Sequence, residues 1–177
     1  MAIGPNGDIY VANANNNEII RYAGPKNTTS LGTFVSIFVS SGSGGLSLPQ
    51  VPRFGSDGDL YVTGFLSDTL PRYEGPNSGS PGTFIGNFTT FSGGSGPLGL
   101  AQITASTSVA ANTLTVGDWF FGLYYDNDVQ RHDSDGTFIQ EFSSFSSPIG
   151  IACGPDGDIY VVDGGANRIT RHFATNL

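Results

Sequence analysis

The chain has 177 residues, with 26 glycines, 38% hydrophobic residues and a formal net charge of −8. Charged residues make up only 12%, against about a quarter in ordinary domains, and lysine occurs once, at Lys26. Such a surface has no basic patch to neutralise phosphates, which excludes nucleic acid as a partner, and no run of about 18 apolar residues exists to cross a membrane.

Glycine and serine are too frequent for long helices, so many short strands joined by turns are expected. The first turn and strand are Gly4-Pro5-Asn6-Gly7-Asp8-Ile9-Tyr10-Val11. The same motif returns at Gly55-Ser56-Asp57-Gly58-Asp59-Leu60-Tyr61-Val62 and at Gly154-Pro155-Asp156-Gly157-Asp158-Ile159-Tyr160-Val161. A decayed copy lies between them, at Gly117-Asp118-Trp119-Phe120-Phe121. The motif aspartates Asp8, Asp59, Asp118 and Asp158 stand 51, 59 and 40 residues apart. The longest interval holds an insertion, Thr104 to Thr115, rich in Ser, Thr and Ala.

Each unit reads as four strands in chain order. Strand a is the apolar lead-in, as in Leu98 to Gln102 and Ile149 to Cys153. An Asn-Gly or Asp-Gly hairpin follows, with positive φ predicted for Gly7, Gly58 and Gly157. Strand b starts at the motif aspartate, which anchors the turn. Strand c covers Glu18 to Tyr22, Thr69 to Tyr73, Val129 to His132 and Arg168 to Phe173. Its landmark pairs are Arg21-Tyr22, Arg72-Tyr73, Arg131-His132 and Arg171-His172. Strand d carries phenylalanines four apart: Phe34 and Phe38, Phe84 and Phe88, Phe138 and Phe142. Residues four apart in a strand share a face, so each pair is predicted to pack inward together.

Four-stranded units repeating every 40–50 residues or so predict propeller blades. The fold class is therefore all-β: a β-propeller of about four blades, the last incomplete. The repeats run 1–50, 51–97, 98–147 and 148–177 within one propeller, or within a segment of a larger one. No leader peptide is visible before the first repeat. The fourth unit lacks strand d, and no spare N-terminal strand supplies it. The expectation is therefore a larger native polypeptide or association between copies through the terminal blades, with a closed four-bladed monomer as the alternative. Cys153, alone, has no internal disulfide partner and reads as a small core residue.

The stretch Pro148-Ile149-Gly150-Ile151-Ala152-Cys153-Gly154-Pro155-Asp156-Gly157-Asp158-Ile159-Tyr160-Val161 resembles the NHL-repeat β-propellers and related bacterial surface repeat proteins. Pro97-Leu98-Gly99-Leu100-Ala101 matches the lead-in again, whereas Pro49-Gln50-Val51-Pro52-Arg53 lacks its Gly and Ala. These are turn and packing residues, so the resemblance implies fold more than function. The family includes streptogramin lyases and gluconolactonase-like hydrolases, which the resemblance pictures as rings of six or seven blades. Their catalytic His/Glu pair and metal set map onto no positions here. His132 and His172 stand where Tyr22 and Tyr73 stand, and read as structural replacements for tyrosine.

Candidate binding residues are the loop aromatics Phe65, Tyr124, Tyr125 and Phe145, flat surfaces suited to a glycan or a protein. Asp133 and Asp135, with Asp126-Asn127-Asp128 nearby, form a weak calcium pattern; otherwise no cofactor is expected. Asn27-Thr28-Thr29 and Asn87-Phe88-Thr89 match the N-glycosylation pattern. Together these features favour a non-enzymatic extracellular or cell-surface propeller acting in binding or assembly. Two alternatives stay open: a fragment of a lyase or lactonase, and a carbohydrate-binding module.

Overall fold

A computed structural model describes residues 1–26, 30–104, 114–155 and 157–172. Four antiparallel sheets follow one another along the chain. The first has strands β1 (Ala2–Ile3), β2 (Ile9–Asn13), β3 (Glu18–Tyr22) and β4 (Phe34–Val39), and the second has β5 (Pro49–Phe54), β6 (Leu60–Gly64), β7 (Thr69–Tyr73) and β8 (Phe84–Thr90). In the third sheet are β9 (Pro97–Gln102), β10 (Trp119–Leu123), β11 (Asp128–His132) and β12 (Phe138–Ser143). The fourth sheet has three strands, β13 (Pro148–Cys153), β14 (Ile159–Asp163) and β15 (Arg168–His172). Within each sheet, neighbours in sequence are neighbours in space. The fold is a β-propeller of four blades, the last three-stranded, and the only helical turns among the described residues are Ala14–Asn16 and Ser43–Gly45.

The motif glycines behave as the turn chemistry predicts. Gly7, Gly58 and Gly157 have φ of 86°, 86° and 84°. Each closes its hairpin by donating its N–H to the carbonyl of Gly4, Gly55 or Gly154. In the decayed third copy Gly117, at φ 103°, donates instead to the carbonyl of Ile103, on the far side of the insertion. The insertion at 105–113, and Asp156 and Phe173, lie outside the described residues.

The phenylalanine pairs of strand d correct the sequence expectation. They do not share a face. Strand d bulges just after the first phenylalanine: Tyr22 pairs with Phe34 but Arg21 pairs with Ser36, Tyr73 with Phe84 but Arg72 with Gly86, and His132 with Phe138 but Arg131 with Gln140. The extra residue reverses the alternation of side chains beyond it. Phe34, Phe84 and Phe138 therefore lie against Tyr22, Tyr73 and His132. Phe38, Phe88 and Phe142 cross to the opposite face, against Tyr10, Tyr61 and Phe120.

The chain divides into two compact units, Met1–Ser92 and Gly93–Leu177, with two blades each. In the first unit Tyr10, Ile19, Phe38 and Val39 of one blade pack on Leu60, Val62 and Tyr73 of the next. In the second, Phe120 and Val129 pack with Ile159 and Val161, alongside Ile103 and Leu114. Cys153 is half-buried at the edge of this second core.

Candidate functional site

The motif aspartate of every blade is held by the strand-c arginine thirteen residues on. Arg21 Nε donates to Asp8 Oδ2 at 2.7 Å, Arg72 to Asp59 at 2.8 Å, Arg131 to Asp118 at 2.9 Å and Arg171 to Asp158 at 2.6 Å. A second nitrogen of each arginine reaches the same carboxylate. In the first two blades the other oxygen accepts the backbone N–H of Gly24 or Gly75. These carboxylates tie strand b to strand c and to the following turn, a structural role. Both columns were visible in the sequence; their constant separation is the signal from which the pairing could have been read.

The two histidines are packed rather than poised. His132 is buried, with Nδ1 3.0 Å from the Gly136 carbonyl oxygen and its ring edge-on to Phe121 and Phe138. His172 lies against Phe145 and near the Thr170 hydroxyl. Burial lowers the pKa of both, which keeps them neutral at pH 7.

The aromatic candidates lie in three different loops. Phe65 is half-buried in the loop after β6. Tyr124 and Tyr125 stand edge to face after β10, and Tyr125 is exposed. Phe145 packs against the core of the second unit as well as on His172. Asp133 Oδ1 accepts the N–H groups of Asp135 and Thr137, so this carboxylate shapes the c–d hairpin. Among the described residues no group of three acidic, histidine or cysteine side chains could hold a metal ion. Asn87 is exposed on the outermost strand of its blade, where a glycan has room; Asn27 lies outside the described residues.

One acid is out of the ordinary. Asp128, at the start of β11, is buried, and its Oδ1 has no hydrogen-bond partner. Burial, and then the neighbouring charges of Glu141 and Asp126, push its pKa up to about 7. The folded protein then keeps a proton that the unfolded chain releases near 3.8. Stability contributed by that proton is present at low pH and is lost as pH rises from about 4 to 7. Asp128→Asn is therefore expected to stabilise the protein at pH 8 by roughly 1–2 kcal/mol and to have little effect at pH 4. Paired thermal melts at the two pH values measure this; an equal shift at both would contradict it.

Burial at matching repeat positions differs from blade to blade. Paired registers place Tyr10, Ala12 and Ile19 on one face of the first blade and Ile9, Val11, Ile20 and Tyr22 on the other. The second set occupies the positions of Leu60, Val62, Pro71 and Tyr73, which are all buried in the second blade. In the first blade all four are half-buried, and Ile3 beside them is exposed. The fourth blade bares the opposite face. Ile169 is 70% exposed, whereas Ile19 and Leu70 at the same repeat position are 0% exposed and Val129 is 2%. Tyr160 and Val162 share that face and line a shallow apolar hollow with Ile169, Gly150 and Ala152. Sequence reasoning missed these faces, because an isoleucine in a repeat column reads the same whether or not a neighbour covers it.

The NHL repeat profile matches residues 145–171, from the loop before β13 through β15. The chain is similar in fold to solved lyase structures. A catalytically inactive virginiamycin B lyase from Staphylococcus aureus, solved with quinupristin, is 24% identical with a TM-score of 0.70. The match covers 99% of this chain and 52% of that one. A streptogramin B lyase is 17% identical, with a TM-score of 0.67, over 98% of this chain and 50% of that one. The computationally designed Ika4 protein is 10% identical, with a TM-score of 0.58, over 94% of this chain and 85% of that one. At these identities the likeness is one of fold, and the chain spans about half the length of the lyases. Among curated proteins no match is found.

Proposed function

We propose that this chain is a non-enzymatic binding and assembly module, acting outside the cell or at its surface through the half-buried apolar face of its first blade and the exposed one of its fourth. The observation that carries this reading is the contrast at one repeat position, Ile169 at 70% exposed against Ile19 at 0%. Large contiguous exposed apolar patches on a folded domain mark interaction sites. The acidic, lysine-poor composition and the Ser/Gly-rich connections support an extracellular setting. Exposed Asn87 on an outermost strand would be a glycan site in a source that glycosylates.

The test is a hydrophobic dye. At submicromolar concentration the folded chain is expected to bind it, and Ile169→Glu is expected to remove much of that signal without changing the melting temperature. A chain that neither binds dye nor associates would refute the reading.

A second reading rests on the lyase matches, which cover about half of those chains. On that reading the chain is part of a lyase-like propeller whose other blades complete a catalytic channel. The intact mass of the native species separates the two: a species near 18.5 kDa without turnover of quinupristin is expected, and a polypeptide about twice as long that turns it over would favour the lyase. Turnover that disappears on mutating His132 or His172 would favour the enzyme.

A further inference from the structure

Four repeat columns define the two faces of each blade, counted from the motif aspartate. At the first position after it stand Ile9, Leu60, Trp119 and Ile159, and at the third Val11, Val62, Phe121 and Val161. These are buried in the second, third and fourth blades and only half-buried in the first. At the second position stand Tyr10, Tyr61, Phe120 and Tyr160, and at the eleventh Ile19, Leu70, Val129 and Ile169. These are buried in the first, second and third blades; in the fourth, Tyr160 is half-buried and Ile169 exposed. One face of each kind is thus less covered than its counterparts: half-buried in the first blade, and largely exposed at Ile169 in the fourth.

How these two kinds of face meet is visible inside each compact unit. In Met1–Ser92 the Tyr10/Ile19 face of the first blade packs on the Leu60/Val62 face of the second. In Gly93–Leu177 the Phe120/Val129 face of the third packs on the Ile159/Val161 face of the fourth. The rule is the same in both units: second- and eleventh-column side chains of one blade fill against first- and third-column side chains of the next. Tyr160 and Ile169 of the fourth blade therefore call for a blade presenting the chemistry of Ile9 and Val11. The first blade of this same chain presents it half-buried.

We propose that the occupant is a second copy of this chain, docked head to tail, with the Tyr160/Val162/Ile169 face of one copy on the Ile9/Val11/Ile20 face of the next. This rests on the reading of those faces as docking surfaces and names their partner. The contact is heterologous, because each copy uses a different patch on each side. It continues the blade-to-blade packing already present within each unit, so it needs no new kind of interface.

The experiment is light scattering on the purified 177-residue chain over roughly 1–200 µM, with Ile169→Glu, Val11→Glu and their equimolar mixture. A buried glutamate opposite an apolar face is strongly disfavoured. The wild type is expected to grow with concentration beyond its 18.5 kDa monomer mass. Each single variant is expected to stay monomeric over the same range. Their mixture is expected to stop at dimers, because Ile169→Glu keeps the first-blade face intact and Val11→Glu keeps the fourth-blade face. Ile20→Glu serves as a second first-blade variant should Val11→Glu fold poorly, as judged by circular dichroism. A wild type that stays monomeric throughout while still binding dye overturns the second copy as partner and leaves the docking reading standing. Dimers formed by either single variant alone overturn the head-to-tail arrangement.

Discussion

Asp118→Ala is expected to cost about 3–5 kcal/mol of stability, the range for breaking a buried ion pair on one side. Arg131 is 9% exposed at the side chain and Asp118 3%. Two guanidinium nitrogens reach Asp118 Oδ2, at 2.9 and 2.6 Å. Arginine stays charged at any accessible pH, so removing the carboxylate strands a cation inside the blade. For a chain of this size the loss corresponds to a fall in melting temperature of roughly 10 °C or more. The same substitution in the fourth blade, Asp158→Ala, should cost only about 1 kcal/mol, because the Arg171 side chain is 48% exposed and water replaces the lost partner. Urea melts of the two variants side by side test the claim, and equal losses would contradict it. The double variant Asp118→Leu with Arg131→Met is expected to recover much of the deficit, since apolar replacement of a whole buried pair is often neutral.

Gly24→Ala is expected to cost about 2–4 kcal/mol, for a steric reason. A methyl group at Gly24 would overlap the Gly7 carbonyl oxygen, and one at Gly75 would overlap that of Gly58. The chain passes this close because the N–H of each glycine donates to the motif carboxylate, at 3.0 Å to Asp8 and 2.9 Å to Asp59. The obstructing atom is backbone, so the a–b turn itself must shift and the hydrogen bond is lost with it. Gly86→Ala is the control. Nothing lies within 4 Å of a Cβ added there, so it should change stability by less than about 0.5 kcal/mol. Thermal melts that rank the two variants alike would refute the close-approach argument.

The blades were legible because a turn is a local event. Gly7, Gly58 and Gly157 fix positive-φ hairpins whatever surrounds them, and the columns of Arg and Phe landmarks repeat in register behind them. The strand-d bulge was not legible. Phe34 and Phe38 four apart read as one face, and only the pairing of Tyr22 with Phe34 beside that of Arg21 with Ser36 reveals the extra residue between them. The raised pKa of Asp128 was hidden for a related reason: Glu141 comes near it only through the pairing of β11 with β12.

Sequence by itself determined the all-β class, the four-unit repeat, the turn positions and the register of the aspartate and arginine columns, though not their pairing. Each of these depends on residues within one hairpin or at a constant spacing, where local backbone preference and periodicity suffice. Tertiary structure decided which copy of each column is covered. Ile19 and Ile169 are the same residue at the same repeat position, yet one is 0% and the other 70% exposed. Burial belongs to the neighbour that excludes water, not to the side chain, and the presence of that neighbour is not written in the repeat.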